Sequence, residues 1–200
     1  MAFVQHCFIN SNSTKKPKNF CSSYSCSEVV NNLTANNNFI ITLPKNILKE
    51  AGVTNTQAYR NYFTANNKRE NTSYIPIPGD VLFILNLDPS ATTFNGSSKT
   101  KSKTCSTHIA RHTGIVKSTE MNHGYLIITA IEGNVDGNYN TPGKEYWETS
   151  KVSEVQYIYL SQYKQFVRLN RFKDGNFDVN STDVSLQRKI LGFYPTSSYN

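Results

Sequence analysis

The stretch His112-Thr113-Gly114-Ile115-Val116, answered further on by Ile131-Glu132-Gly133-Asn134, decides how this chain is read. It has the pattern of a β-hairpin. One arm runs from Thr113 to Lys117 and the other from Tyr125 to Ile131, both rich in Ile, Val and Leu, which pack well on a pleated surface. Met121-Asn122-His123-Gly124 lies between them as a polar turn in which Asn and Gly tolerate positive φ. Opposed residues of an antiparallel hairpin share a face. A turn centred on Asn122 sets His112 opposite Glu132; one centred on His123 sets it opposite Asn134. Either register places an imidazole beside a carboxylate or an amide, the arrangement that orients a general base. A half-residue shift of the centre would separate them onto opposite faces.

A base implies something to activate. The chain has four cysteines, Cys7, Cys21, Cys26 and Cys105. A thiol at a helix N-terminus gains from the dipole and from unpaired N–H groups that also stabilise an oxyanion. Cys26 has that context: Val29, Val30 and Leu33 follow at helical spacing. Ser25 or Ser27 supplies a cap, Glu28 sits in the first turn, and Asn36-Asn37-Asn38 ends the segment. Cys21, followed by polar Ser25 and Glu28 where a buried face wants apolar residues, is the alternative nucleophile. Taken singly, a cysteine is more often a small buried hydrophobe and a histidine before a strand more often structural. Their order, Cys…His…Glu-x-Asn, makes them a candidate site.

These residues resemble a known family. Cys26-Ser27-x-Val29-Val30-x-x-Leu33, Pro78-Gly79-Asp80-Val81-Leu82-Phe83, His112-x-Gly114-Ile115-Val116 and Ile131-Glu132-Gly133-Asn134 are similar, in that order, to the CHAP domain. That is the cysteine, histidine-dependent amidohydrolase/peptidase branch of the NlpC-type, papain-like peptidoglycan hydrolases. The resemblance extends to Ile190-Leu191-Gly192-Phe193-Tyr194-Pro195, similar to the closing strand of such domains. It implies Cys26 as nucleophile, His112 as base, Glu132 as the group orienting the imidazole and Asn134 as a further polar member. It implies no cofactor, and as substrate an amide bond in the peptide stem of peptidoglycan or the amide joining stem to sugar. Type VI secretion amidase effectors use a small papain-like Cys–His fold too; a chain of that kind would meet a cognate immunity or delivery protein. The chain departs from the family pattern in two places. The segment 86–111 is long for the link between its two strands, and Val29-Val30 replace the aromatic residue often found in the nucleophile helix; Cys21 with Phe20 and Tyr24 is the other way to match it.

The bulk properties predict one domain over 1–200, with a polar leader over 1–20 and a Ser/Thr/Lys-rich insertion over 86–111. Two hundred residues suffice for one sizeable core, and 12% aromatics offset a modest 38% hydrophobic content. No apolar run approaches the roughly 20 residues of a membrane span. Met1-Ala2-Phe3-Val4-Gln5-His6 has no basic n-region or long apolar stretch, so no signal peptide is visible. That fits a cytoplasmic protein, a mature form numbered after processing, or a protein delivered from the cytoplasm to the cell wall or periplasm by a dedicated export machine, as the CHAP resemblance would require. The net charge of +7 favours anionic partners such as wall polymers, and no nucleic-acid motif accompanies the basic clusters. Cys105 with His108 lacks a second ligand pair for zinc, and Asp136-Gly137-Asn138 lacks the acidic ligands of a calcium loop, so no metal is expected.

Helical patterns come first and strands after: helices over Lys45 to Ala51 and Thr56 to Ala65, then strands at Val81 to Leu87, the hairpin, Val155 to Leu160, Phe166 to Phe172 and Ile190 to Tyr194. That order predicts an α+β, papain-like architecture with N-terminal helices packed on an antiparallel sheet. The same scaffold with its site unused, serving as a binding or interaction protein, is the alternative function.

Overall fold

The computed structural model describes residues 2–10, 26–36, 38–44, 71–85, 110–135, 142, 151–169 and 189–199. Cys21, Cys105, both helices expected between 45 and 65, most of the 86–111 insertion and the Asp136-Gly137-Asn138 loop lie outside them. Two short helices, α1 (Ala2–Asn10) and α2 (Cys26–Ala35), precede β1 (Ile40–Ile41) and β2 (Val81–Leu85). The long hairpin β3 (Ala110–Asn122) and β4 (Tyr125–Val135) follows, then β5 (Lys151–Leu160), β6 (Gln165–Arg168) and β7 (Ile190–Tyr194).

All seven strands join one sheet in the order β1-β7-β2-β3-β4-β5-β6, and every pairing is antiparallel. The sheet curls into a half-barrel, so that Val167 of β6 bridges Lys189, the residue just before β7. This corrects the α+β, papain-like expectation: the described chain is mostly antiparallel sheet, and its helices are only 9 and 10 residues long. The physical reason lies in the strand lengths. β3 and β4 run for 13 and 11 residues, well past their apolar runs. Ser118, Thr119 and Glu120 keep their ladder with Thr129, Ile128 and Ile127 although their own sequence carries no apolar alternation.

The two faces of the sheet bury different residues. Leu82, Ile84, Val116, Ile128, Ala130, Val155, Tyr157, Phe166 and Phe193 fill the inside of the curl, where the rings of Phe166 and Phe193 meet edge to face at 5.8 Å although their strands are distant in sheet order. Val81, Phe83, Leu85, Ala110, Leu191 and Tyr194 face the other way and pack under the helices with Val4, Val29, Val30 and Leu33. Each such side chain contributes roughly 1.5–3 kcal/mol relative to exposure. In α2 the positions 29, 30 and 33 form the buried stripe that their spacing predicts, while Glu28 is exposed. In α1, within the segment read as a polar leader, Val4 is fully buried and Phe3 and Phe8 pack on the same core.

Pro78-Gly79-Asp80 starts β2 for structural reasons. Gly79 takes φ +95, which a side chain rarely adopts. The fully buried Asp80 carboxyl accepts hydrogen bonds from the Tyr74 hydroxyl (2.7 Å), the Ile77 N–H (2.9 Å) and the Thr196 N–H (2.8 Å). It thereby ties the loop before β2 to the turn after β7.

Candidate functional site

The hairpin register is set in two steps. His123 and Gly124 form a two-residue turn with φ +49 and +81, the double positive φ of a type I′ turn. From Asn122↔Tyr125 back to Ser118↔Thr129 that turn fixes a register in which His112 and Glu132 would fall on opposite faces. A bulge between Val116 and Ser118 then inserts Lys117 and shifts the pairing by one residue. Beyond it Val116 faces Ala130 and Gly114 faces Glu132. On the other side of β3 the regular register with β2 sets His112 opposite Ile84, and a second irregularity, at Arg111, follows only beyond that pair, where Leu85 faces Ala110. His112, Gly114 and Glu132 therefore share the inner face with Val116 and Ala130. Of the two registers considered from sequence, the outcome beyond the bulge continues the one centred on His123, in which Glu132 is the diagonal neighbour of His112.

The resulting contacts are close. His112 Nε2 lies 3.1 Å from Glu132 Oε2. The Glu132 side chain is completely buried, whereas His112 is 19% exposed. The two atoms are at ion-pair distance but are not aligned as a hydrogen bond; such catalytic contacts are often loose until substrate binds. The other carboxyl oxygen, Oε1, accepts a hydrogen bond of 2.5 Å from the hydroxyl of Tyr157 on β5, which is also fully buried. Gly114 makes the crossing possible. A Cβ there would sit 2.8 Å from Glu132 Cγ and 2.9 Å from the Ile131 carbonyl oxygen, so the absent side chain is what lets Glu132 lie against β3. Neighbouring Thr113 anchors the strand by donating its hydroxyl to the Leu82 carbonyl at 2.7 Å.

Because Nε2 is the buried nitrogen held toward Glu132, Nδ1 is the nitrogen that remains to take a proton. The pair thus has the elements of an oriented general base. Asn134 lies two residues beyond Glu132 in β4; its side chain is outside the described set.

Cys26 is the first residue of α2, at the helix N-terminus that its flanking sequence predicts. Its thiol is not in a disulfide. It packs with Val4, Val29, Val30, Phe83 and Ala110, on the face of the sheet opposite to His112. Burial pushes its pKa above the ordinary thiol value. The structure brings His112 and Glu132 together; it sets Cys26 in the core that reaches Ala110, two residues before the histidine. Among the described residues no group of three His, Cys, Asp or Glu side chains could hold a metal. Among the same residues no helix is long and apolar enough to cross a membrane.

Sequence reasoning missed two members of this arrangement. Tyr157 falls within the strand expected over Val155 to Leu160, but its hydroxyl signals more: a buried phenol needs a hydrogen-bond partner, and a buried carboxyl is a natural acceptor. Gly114 is an isolated glycine within a strand pattern, a sign of close approach by a neighbour. No family model matches this chain, and neither a curated protein nor a solved structure matches it.

Proposed function

We propose that the chain is a cysteine hydrolase that cuts an amide bond in peptidoglycan, with His112 as general base, Glu132 as the group that orients it and Cys26 as nucleophile. The observation that carries this reading is the His112–Glu132 pair, half-open at the imidazole and closed to solvent at the carboxyl. Two bulges flank the segment that bears the histidine, a feature common beside active sites. In the proposed step His112 Nδ1 takes the Cys26 proton and the thiolate attacks the amide carbonyl. Backbone N–H groups at the start of α2 stabilise the oxyanion; the C–N bond then breaks as His112 gives its proton to the leaving amine, and water hydrolyses the thioester to release the carboxylic acid and restore the thiol. The thiol rests protonated and covered. Attack therefore requires a substrate-bound arrangement in which thiol and imidazole meet around the end of β3, where Ala110 already shares the Cys26 core. The choice of peptidoglycan rests on the CHAP resemblance of the motif residues, and the net charge of +7 suits an anionic wall polymer. The partner is then the peptide stem, and for an effector also an immunity or delivery protein.

One observation favours a second reading, a binding scaffold whose thiol does no chemistry: Cys26 is 7% exposed, lies across the sheet from His112 and has a raised pKa. Digestion of purified peptidoglycan, with mass analysis of the released fragments, separates the two. Hydrolysis predicts fragments from the wild type and none from Cys26→Ala. Release that survives Cys26→Ala but not Cys21→Ala moves the nucleophile, and no release by any form leaves the scaffold.

A further inference from the structure

We propose that Tyr157 is a positioning residue for the His112 imidazole, acting through Glu132. The inference rests on the hydrolase reading for its functional meaning, but on geometry alone for its substance. A glutamate side chain has three rotatable bonds, and orienting an imidazole requires that its carboxyl be held in one of its many settings. In β4 the backbone does not do this. Ser153 is the residue directly opposite Glu132, whereas Tyr157 is paired with Ile128, further along the same face. The phenol therefore leans along β5 to reach Oε1, and the 2.5 Å hydrogen bond it donates fixes the carboxyl so that Oε2 is turned to His112 Nε2 at 3.1 Å.

The three groups form a chain from a fully buried phenol, through a fully buried carboxyl, to the one partly exposed ring. Tyr157 is itself locked by the core: it packs among Val155, Phe166, Ile128 and Ala130 inside the curl. A donor whose rotamer is set by packing transmits that order to the carboxyl, and through it to the imidazole tautomer. A carboxyl oxygen facing Nε2 at 3.1 Å favours the proton of the neutral ring on Nε2 and leaves Nδ1 as the acceptor, which is the form a general base needs. In this scheme the effect of Tyr157 on the imidazole runs through the geometry of Glu132.

The test reads the tautomer directly. In full-length protein with ¹⁵N-labelled histidine, at a pH where the ring is neutral, the His112 nitrogen shifts of wild type should report the Nε2–H form. Tyr157→Phe, which keeps the ring volume, should convert this to a mixture with a several-fold larger Nδ1–H fraction. In the hydrolysis assay it should lower kcat about 10-fold or more, the scale of lost outer partners of a reacting group, with KM nearly unchanged. An unchanged His112 tautomer in folded Tyr157→Phe overturns the proposal. Should that variant not fold, the wild-type Tyr157 hydroxyl proton serves instead: a downfield, slowly exchanging resonance lost in Glu132→Ala, which removes the acceptor, is expected, and one that persists there overturns it. A wild type that cuts no wall leaves the tautomer measurement intact and counts only against the hydrolase.

Discussion

The Glu132 carboxyl lies where no solvent reaches it, and its neighbours determine what it can do. A polar group of this kind is costly to bury without partners; here Oε1 accepts a hydrogen bond from a phenol, and Oε2 lies at ion-pair distance from an imidazole without a hydrogen bond. Gly114 is the residue that leaves room for it. Gly114→Ala brings a Cβ into the Glu132 side chain and into backbone, so we expect a loss of about 1–3 kcal/mol, as for other overpacked sites, in urea denaturation. Hydrolysis should fall to the level of His112→Ala; unchanged stability together with unchanged activity would count against the arrangement. Asp80 illustrates a buried carboxyl with a purely structural task. Asp80→Ala orphans three donors at once, and a loss of about 3 kcal/mol or more is expected from hydrogen bonds to a charged group.

One thiol and two phenol shifts give pH predictions with a definite sign. Burial raises the folded-state pKa of Cys26. The stability that this contributes is complete below the unfolded value, near pH 8.5, and is lost as pH rises through the folded one. Iodoacetamide should accordingly modify Cys26 more slowly in the folded resting chain than in urea near that pH, and a fast folded-state reaction would contradict its placement. Tyr74 and Tyr199 are also raised, each first by burial and then by the nearby Asp80. Their stabilisation is likewise lost on the alkaline side, above about pH 10. Absorbance at alkaline pH should show a subset of tyrosines that ionise only as the fold opens.

At the scale of the element, the hairpin depends on an inserted residue. The His123-Gly124 turn alone would leave His112 and Glu132 on opposite faces, and Lys117 corrects this. Deleting Lys117 should therefore separate the pair, and loss of hydrolysis in a chain that still folds is the expected result. His123 holds φ +49, a conformation asparagine adopts more readily. His123→Asn should raise stability by about 0.5 kcal/mol in thermal unfolding without altering activity, since the turn lies at the far end of the hairpin from the site. The two arms, the turn and the helix that begins at Cys26 were legible in apolar spacing and in turn residues. The bulge was not, because neither Val116, Lys117 nor Ser118 is a glycine or proline that would mark it. The Tyr157–Glu132 bond was hidden for a related reason: it is diagonal, and sequence alternation reports faces but not reach along a strand.

Across the whole molecule, two of the three buried clusters among the described residues lie back to back on one sheet. The core under α1 and α2 holds Cys26, and the core inside the curl holds His112's partners Glu132 and Tyr157. The expectation of a helix-rich, papain-like body failed because it weighed helical patterns heavily and underestimated β3, β4 and β5, whose polar, half-exposed portions continue the ladder without an apolar signature. The N-terminal end of β3, at Ala110, is where the core that holds Cys26 comes closest in sequence to the imidazole, and on this account it is where catalysis is assembled.

The fragments released from purified peptidoglycan by wild type and by His112→Ala, weighed by mass spectrometry, test the central claim most directly. The account predicts that the wild type releases fragments whose masses correspond to cleavage of one amide bond, and that His112→Ala releases none above background. Equal release by both, or none from the wild type, would contradict it.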